Sequence, residues 1–383
     1  MERHEIVIVG AGVIGASVAF HLARAGVRDV VILERAPLPG SGSTAQANGG
    51  IRAQFTTEVN LAMSMASMAI LDGLAGEIGE PPIYRKAGYL FLTDSGERLS
   101  AMARAVAFQR ERGVSVELLG PDEVRARLPW AACEGVVGGT FGPRDGFIDP
   151  GALANFFLGA ALRAGTRVRY STEVTAIAAE PGGFVVGAAA GELHARVVVN
   201  AAGPWARPVA AMAGVELPVE PVRRHILLTG PCPAVPRVIP MTIDADTGVL
   251  VRREGDRVVI AYSNPDEPVG YNLVFDPEFV ERIVEPVDRR FPVVAAAGID
   301  VSRSWAGLYE VTPDHHAVIG EAPGRAGFIL VNGFSGHGVM HAPAAGRCVA
   351  ELVTRGRSES VDIAALSPAR FARGELIHET MVL

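Results

Sequence analysis

The first residues whose types and spacing indicate chemistry are three glycines near the start of the chain, Gly10-x-Gly12-x-x-Gly15. Gly10 allows a tight turn, Gly12 lets the backbone approach a pyrophosphate, and Gly15 lets a helix pack closely on a strand. The N-terminus of that helix favours anions through its free N–H groups and its macrodipole. Glu34, at the end of the next apolar run, would accept the ribose hydroxyls and repel a 2′-phosphate. The pattern predicts a dinucleotide site and disfavours NADP.

Three further loops of small residues distinguish between FAD and NAD. Gly40-Ser41-Gly42-Ser43-Thr44 offers backbone N–H and hydroxyl groups to a phosphate or to the edge of a flavin ring. Ala201-Ala202-Gly203-Pro204-Trp205 follows a strand-like run and lets the backbone pass close to a dinucleotide. Gly333–Gly338 precedes a helix and directs its N-terminus at a site that gains negative charge, as a reduced flavin does. A nicotinamide enzyme has no evident need of these loops, so they favour FAD.

Five segments in this order, GAGVIG, GSGST, AAGPW, WAGLYEVTPD and GFSGHG, resemble the FAD-dependent enzymes of the D-amino-acid-oxidase type. Within that group the chain is similar to sarcosine oxidase, especially the β subunit of the heterotetrameric enzyme, and to the L-proline dehydrogenase β subunit. The resemblance runs from Ile6 to about Leu352. It implies oxidation of a secondary or primary amino acid, sarcosine- or proline-like, to its imine by hydride transfer to flavin N5.

The glycine patterns and the resemblance together predict which residues bind FAD. These residues are Gly10, Gly12, Val13, Ile14, Gly15, Glu34, Arg35, Ser41, Ser43, Thr44, Gly50, Val174, Ala202, Gly203, Trp205, Gly307, Gly333, Phe334, Ser335, Gly336, His337, Gly338, Val339 and Met340. Gly307 stands where monomeric sarcosine oxidase has the cysteine bonded to FAD. Gln46 and Ala47 stand near where dimethylglycine-dehydrogenase relatives have a flavin-linked histidine. The resemblance therefore implies FAD that is held non-covalently.

The resemblance also assigns the substrate residues. Arg52 matches an arginine that binds the substrate carboxylate, Tyr309 a tyrosine of the flavin and substrate cavity, and His337 a position close to the flavin. From their residue types alone, Arg52 is equally explained as a surface arginine, Tyr309 as a core tyrosine and His337 as a backbone cap. Met340 replaces a lysine that helps to hold the carboxylate, and Val259 a lysine that promotes the reaction with O2. These two departures favour a dehydrogenase or a multi-subunit enzyme over a fast oxidase.

Two arginine-rich runs are alternative sources of positive charge for the site. Arg223-Arg224-His225 and Arg252-Arg253 both lie in a β-rich stretch of the chain. Adjacent charged residues on such a stretch most often face solvent, and we interpret both runs in that way.

The elements around the motifs predict the fold class. An apolar strand (6–9), a helical pattern that stops at Gly26 and a second apolar strand (30–33) form a β–turn–α–β unit. Continuously apolar strands are typical of a parallel sheet covered on both faces. The same order of strand, glycine loop and helix returns near the C-terminus, after a β-rich stretch. We therefore predict an α/β protein in which a Rossmann-like FAD-binding domain is interrupted by an α+β substrate domain with a mixed or antiparallel sheet.

The predicted domains are discontinuous. Residues 1–83, 147–214 and 324–383 form the predicted FAD-binding domain, and residues 84–146 and 215–323 the predicted substrate-binding domain. The local patterns predict a strand pair at Tyr84–Thr93 and a single helix from Glu58 to about Ile78. They also predict a helix at Pro343–Leu352 that begins near its proline.

Composition and charge exclude several classes of protein. The 383 residues contain 49% hydrophobic and 20% charged residues, which excludes disorder, and a net charge of −7 argues against nucleic acid or an anionic membrane as partner. Cys133, Cys232 and Cys348 are far apart, and the histidines lack metal-ligand spacing, so neither a disulfide framework nor a metal is expected. An immediate N-terminal strand and the absence of a long apolar run predict a cytoplasmic protein.

Three alternatives to a self-sufficient FAD enzyme with a small amino-acid substrate stay open. The chain could be a β-type subunit that needs a partner subunit or another electron acceptor. It could be an NAD-linked dehydrogenase, which would be colourless. It could also be a non-catalytic flavin-binding or regulatory relative, which would be yellow but unreactive towards amino acids.

Overall fold

The computed structural model describes residues 1–79, 82–189 and 191–380. The domain ranges predicted above also include residues 80, 81, 190 and 381–383, which lie outside the described residues.

The strands are β1 (Glu2–Val9), β2 (Val30–Leu33), β3 (Gly50–Ile51), β4 (Tyr84–Arg85), β5 (Tyr89–Thr93), β6 (Glu117–Leu119), β7 (Gly138–Gly142), β8 (Gly146–Ile148), β9 (Arg167–Arg169), β10 (Val174–Glu180), β11 (Gly183–Ala188), β12 (Gly191–Asn200), β13 (Glu220–Leu228), β14 (Met241–Asp244), β15 (Leu250–Glu254), β16 (Arg257–Tyr262), β17 (Trp305–Val311), β18 (Val318–Glu321) and β19 (Phe328–Asn332). The helices are α1 (Val13–Arg24), α2 (Ser43–Gln46), α3 (Glu58–Gly73), α4 (Ala75–Ile78), α5 (Gly96–Glu111), α6 (Pro121–Arg127), α7 (Pro150–Arg163), α8 (Ala206–Met212), α9 (Phe279–Arg290), α10 (Pro292–Ala295), α11 (Gly338–Arg355) and α12 (Ala369–Arg373), with short 3-10 turns at Gly203–Trp205, Val301–Arg303 and Ala364–Leu366.

The first sheet is built around β1. Its strands follow the order β10-β11-β12-β1-β2-β9, and β19 extends the carboxyl half of β12 while pairing with β18. β1 pairs in parallel with both β2 and β12, and the central residues of β1 and β2 are buried. The helices α1, α3, α7 and α11 cover one face, and α8 covers part of the other. The predicted β–turn–α–β unit is confirmed.

Two close contacts explain why small residues stand on the helices of this layer. A Cβ on Gly15 would lie 2.0 Å from the carbonyl oxygen of Gly10, so α1 packs directly against the turn that follows β1. A Cβ on Gly346 would lie 2.2 Å from Ser17 Oγ, and that hydroxyl donates to the carbonyl of Ala342 at 2.7 Å. Helices α1 and α11 therefore touch backbone to backbone.

The second sheet is mixed, as predicted. Its order is β17-β13-β16-β15-β14-β5-β7-β6, with β14 and β5 parallel and the other neighbouring pairs antiparallel. One face packs on α9, α10 and a core that includes stacked Trp130 and Phe291 rings, 5.6 Å apart. The predicted fold class is confirmed: a dinucleotide-type sheet and a second mixed sheet share one chain.

A small antiparallel sheet, β3-β8-β4, lies between these two layers and corrects one prediction. Tyr84–Thr93 is not a strand pair, because β4 pairs with β8 whereas β5 pairs with β7 and β14. One strand also disagrees with the predicted ranges of the domains. β18 falls in the range given to the substrate domain but pairs with β19 in the first sheet. The domain ranges otherwise stay a prediction.

Two helix predictions need new boundaries. The expected helix of 58–78 is divided at Leu74 into α3 and α4. The last long helix, α11, begins at Gly338, and Pro343 lies inside it rather than at its start. A proline inside a helix removes the hydrogen bond of its own nitrogen and crowds the preceding turn. The buried face of α11 continues on both sides of Pro343, and this packing maintains the helix. Among the helices of the described residues, none combines the length and hydropathy that a bilayer crossing requires.

Candidate active site

A cleft of about 490 Å³ lies where the turns of the first sheet meet β13 and β17 of the second. Every residue predicted to bind FAD lines this cleft, with the exceptions of Gly15 and Gly333. Arg52 and Tyr309 line it as well. Gly15 instead packs α1 on the preceding turn, and a Cβ on Gly333 would lie 2.4 Å from Thr312 Cγ2, so both glycines are required by packing.

One end of the cleft is the turn after β1. Gly10 has a φ of +105°, and a Cβ there would lie 2.5 Å from the carbonyl oxygen of Ala201, so only glycine fits without strain. Thr44 Oγ1 accepts the N–H of Val13 at 3.0 Å, which ties the loop of small hydroxyl residues to the start of α1. The two loops identified separately in the sequence therefore form one wall.

Glu34 does more in this structure than the ribose contact predicted for it. One carboxylate oxygen accepts the N–H of Ala11 at 2.7 Å, and the other accepts the N–H of Ala36 at 2.8 Å. A carboxylate has about four acceptor sites, so two are available for hydroxyl groups. Glu34 thus holds the glycine turn in place while facing the cleft.

The side chain of Arg35, the residue after Glu34, stacks on Trp205, which stacks in turn on Tyr271. The guanidinium of Arg35 lies 3.5 Å from the centre of the Trp205 ring, and the Trp205 and Tyr271 rings stack at 5.6 Å with an angle of 17° between their planes. Arg35 and Trp205 were predicted as cofactor residues, and Tyr271 was missed. Its position gives no sequence signal, because it lies in an irregular segment between β16 and α9.

The loop 333–338 forms the opposite wall. Gly336 has a φ of +97°, and a Cβ there would lie 2.4 Å from Tyr309 Cε2, so the tyrosine ring packs directly on the glycine. Helix α11 then begins at Gly338, and His337 at its N-cap makes no side-chain capping hydrogen bond. The first N–H groups of a helix lack partners within the helix. Such a wall fits the electron-rich edge of a flavin.

Arg52 is a buried arginine, not a surface residue. It is 1% exposed, its Nη1 donates to the carbonyl of Gln54, and its guanidinium lies 3.9 Å from the centre of the Phe55 ring. Burial lowers the pKa of Arg52, and its interactions with Tyr89 and with the carboxyl groups of Glu379 and Asp145 oppose that shift. A guanidinium presents a planar fork of N–H donors that matches the geometry of a carboxylate.

Asp145 accepts hydrogen bonds from the two residues that follow Arg52 in the chain. Its Oδ1 accepts the N–H of Ala53 at 2.9 Å, and its Oδ2 accepts the side-chain amide of Gln54 at 2.9 Å. Burial raises the pKa of Asp145 to about 7 against these two hydrogen bonds and the charge of Arg52. Nothing in its local sequence identified this residue, because its role depends on pairing between distant strands.

Two histidines at the start of α11, the N-cap residue His337 and His341 within the helix, flank the Phe55 ring. The His337 and His341 rings lie 5.0 and 5.6 Å from it, and His341 Nε2 is 3.0 Å from Ser64 Oγ. Burial lowers the pKa of His341 to about 3 and the pKa of His337 well below its ordinary range, in both cases helped by the charge of Arg52. Both rings are therefore neutral at physiological pH. His341 was missed in the sequence, although its spacing of four residues from His337 was a signal that could have indicated it.

The interpretation of the two arginine-rich runs as solvent-facing is wrong for Arg224, His225 and Arg252. Arg224 lines the cleft, with its guanidinium 5.2 Å from the centre of the Tyr309 ring. Arg252 is 8% exposed, and its Nε donates to Asn48 Oδ1 at 2.5 Å. Successive side chains of a strand point to opposite faces, so one member of each adjacent pair is directed inwards.

Glu310 follows Tyr309 and faces the loop of the opposite wall. The backbone N–H groups of Gly333 and Phe334 act to lower the pKa of its carboxyl group, and its Oε2 is buried without a partner among the described residues. Burial raises the pKa of Glu310 to about 7. It lines the cleft and was missed in the sequence, although it lies inside the WAGLYEVTPD segment.

The positions that depart from the family pattern have distinct locations. A Cβ on Gly307 would lie 2.9 Å from the Cβ of Gln46, and both residues line the cleft. Met340 also lines it, whereas Val259 is fully buried in a cluster with Ile226 and Leu228. Across the described residues, no group of three or more His, Cys, Asp or Glu side chains is arranged to hold a metal ion.

Comparison with known proteins agrees with this geometry. The chain is 33% identical to FAD-dependent oxidoreductase domain-containing protein 1 of Xenopus laevis, over 100% of this chain and 85% of that protein. It is 28% identical to mitochondrial dimethylglycine dehydrogenase of Rattus norvegicus, over 97% of this chain but 45% of that protein. The structure of L-proline dehydrogenase from P. horikoshii matches with a TM-score of 0.92 and 30% identity, over 98% of this chain and 100% of that one.

Glycine oxidase from Geobacillus kaustophilus also matches, with a TM-score of 0.85 and 28% identity over 97% of this chain and 99% of that one. Residues 5–352 match the family described as DAO, FAD dependent oxidoreductase. The predicted cofactor, FAD, is thereby confirmed over NAD. The chain belongs to the DAO family of FAD-dependent oxidoreductases.

Proposed function

We propose that this protein oxidises a secondary or primary amino acid, sarcosine- or proline-like, to its imine. The observation that carries the proposal is the buried Arg52 in the same cleft as the glycine loops of the dinucleotide site. An amino-acid carboxylate fits the fork of a guanidinium through two parallel hydrogen bonds. The 30% identity to L-proline dehydrogenase supports this class of substrate.

The residues around Arg52 position it for this task. Its contacts with Gln54 and the Phe55 ring fix the guanidinium, and Asp145 holds Gln54 in turn. A fixed cation positions the substrate carboxylate, and hence the carbon that is oxidised, and this positioning is the main contribution that we expect from Arg52.

The part of the cleft next to His337 suits the amine. His337 is neutral, so it does not repel an ammonium group and its ring can accept a hydrogen bond from the amine. Ile226, Met241 and Leu250 also line the cleft and exclude water from the reacting carbon. FAD, when bound, supplies the acceptor for the hydride that leaves this carbon. The amine proton passes to solvent, and water hydrolyses the imine.

The purified protein tests the proposal directly. We expect a yellow protein whose visible absorption is bleached without oxygen by at least one of sarcosine, N,N-dimethylglycine, L-proline and glycine. Arg52→Met should raise the apparent Kd or KM for that substrate by about 10- to 100-fold, because a charge-assisted hydrogen bond is lost. Arg303→Met, an exposed arginine on a 3-10 turn, is the matched control. Unchanged affinity in Arg52→Met, with FAD content retained, would contradict the carboxylate role.

The remaining alternatives give different results in the same experiment. A protein that stays yellow with every amine is a non-catalytic flavin-binding relative. A protein that is reduced but reoxidises only with an artificial dye is a dehydrogenase, and elution with a second chain indicates a β-type subunit. A cytoplasmic location also stays a proposal.

We also propose that FAD is bound non-covalently. Gly307 and Gln46 supply neither a thiol nor an imidazole where they line the cleft. Precipitation with acid should therefore release all of the flavin into the supernatant. Flavin that stays with the protein pellet would overturn this proposal.

A further inference from the structure

A second arginine of the cleft, Arg224, has hydrogen-bonding capacity that the protein does not use. It lies on β13 directly opposite Gly307 of β17. Its Nη1 donates to the carbonyl of Arg223 at 3.0 Å, whereas its Nε is buried and has no hydrogen-bond partner among the described residues. A buried donor without a partner destabilises the protein, and the cost is larger for a charged group. Such a donor facing a cleft is a binding feature.

The acidic groups near Arg224 do not neutralise it. Glu267 is bound by Arg223, whose Nε lies 2.6 Å from Glu267 Oε1, and by the side-chain amide of Asn264 at 3.4 Å. Glu310 also lines the cleft, but burial raises its pKa to about 7, so part of it is uncharged at neutral pH. The guanidinium of Arg224 thus faces the cleft as a cation in need of an anion.

Arg224 and Arg52 occupy different parts of the cleft. The guanidinium of Arg52 lies 3.9 Å from the centre of the Phe55 ring and 5.5 Å from the centre of the Phe91 ring. The guanidinium of Arg224 lies 5.2 Å from the centre of the Tyr309 ring, where β13 pairs with β17. The cleft therefore offers two separate positions for anionic groups, one at each arginine.

We propose that Arg224 binds a second carboxylate of the substrate, so that the preferred substrate is an amino acid with two carboxylates, one at Arg52 and one at Arg224. This inference rests on the proposed function, because it takes the first carboxylate to be bound by Arg52. The side-chain carboxylate of an acidic amino acid, or a carboxyalkyl group on a secondary amine, would supply the second group. The oxidised bond is the same as before, and only the recognition of the substrate is new.

Matched pairs of non-oxidisable ethers test this inference by calorimetry on the FAD-loaded protein. Methoxyacetate has one carboxylate, and ether diacids with one, two or three methylene groups on the second arm, beginning with diglycolate, have two. We expect at least one diacid to bind about 10- to 100-fold more tightly than methoxyacetate. In Arg224→Met this ratio should fall to about 1 while the Kd of methoxyacetate stays unchanged, and Arg224→Lys should keep part of the ratio.

Two results would overturn the inference. One is that no diacid binds more tightly than methoxyacetate, and the other is that Arg224→Met weakens both ligands equally, as a merely structural arginine would. Arg303→Met controls for the loss of a charge elsewhere, and FAD content shows that each variant is folded. A different result would overturn the proposed function. If no amine bleaches the flavin but the diacid preference depends on Arg224, the anion site stands and the oxidation does not.

Discussion

The buried carboxyl group of Glu310 should make the folded protein less stable as the pH rises. Its pKa is raised from the ordinary value of 4.5 to about 7 by burial. Below pH 4.5 the group is protonated in both the folded and the unfolded state, so burial of the charge costs nothing. Above pH 7 it is ionised in both states, and the full cost is present. At about 1.4 kcal/mol per pKa unit, the cost is about 3 kcal/mol.

Glu310→Gln isolates this effect, because glutamine keeps the shape of the side chain and one acceptor oxygen but carries no charge. The free energy of unfolding is measured in urea at pH 5 and pH 8, with saturating FAD. Relative to wild type, the variant should gain about 2 to 3 kcal/mol between these two pH values. Glu285→Gln, an exposed glutamate of α9, should show no such change. A wild-type-to-variant difference that is equal at both pH values would refute the reasoning.

Two further predictions concern the cofactor turn and a buried ion pair. A methyl group on Gly10 would lie 2.5 Å from a carbonyl oxygen at a φ of +105°, so Gly10→Ala should lose its FAD on desalting, as measured by flavin absorbance. Gly26→Ala, at a φ of +90° with nothing within 4 Å, should retain it, and equal loss in both would contradict the steric argument. Arg370→Met leaves the buried carboxylate of Asp314 without the guanidinium 2.8 Å away, and unfolding should become easier by about 3–5 kcal/mol. Arg373→Met removes only an exposed pair and should cost under about 1 kcal/mol; a similar loss in both variants would count against the burial argument.

The dinucleotide part of the site could be predicted because its requirements are local. Gly10 and Gly336 both have positive φ and both allow a contact that a Cβ would block, and each such glycine is visible in the sequence within a few residues of an apolar strand. Glu34 could be found in the same way, from its place at a strand end. Its hydrogen bonds to the turn could not, since they depend on how β1 and β2 pair.

The substrate part of the site was less predictable, because it depends on register. Which of Arg223 and Arg224 faces the cleft follows from the pairing of β13 with β17, which the sequence does not contain. Asp145 reaches Ala53 across 92 positions of the chain, and no local pattern relates the two residues. The start of α11 was misplaced because Pro343 is a strong local signal, yet the buried face of the helix outweighs it.

The strand β19 has a consequence for the order in which the protein is made. β19 pairs with β12, and α11 lies against α1, so the first sheet joins residues from both ends of the chain. During synthesis, the N-terminal β1–α1–β2 unit is exposed while nearly three hundred further residues are added. Contacts of such sequence separation form slowly, and uncovered apolar strands favour aggregation in the meantime. Folding yield should therefore depend on FAD and chaperones more than the stability of the finished protein does.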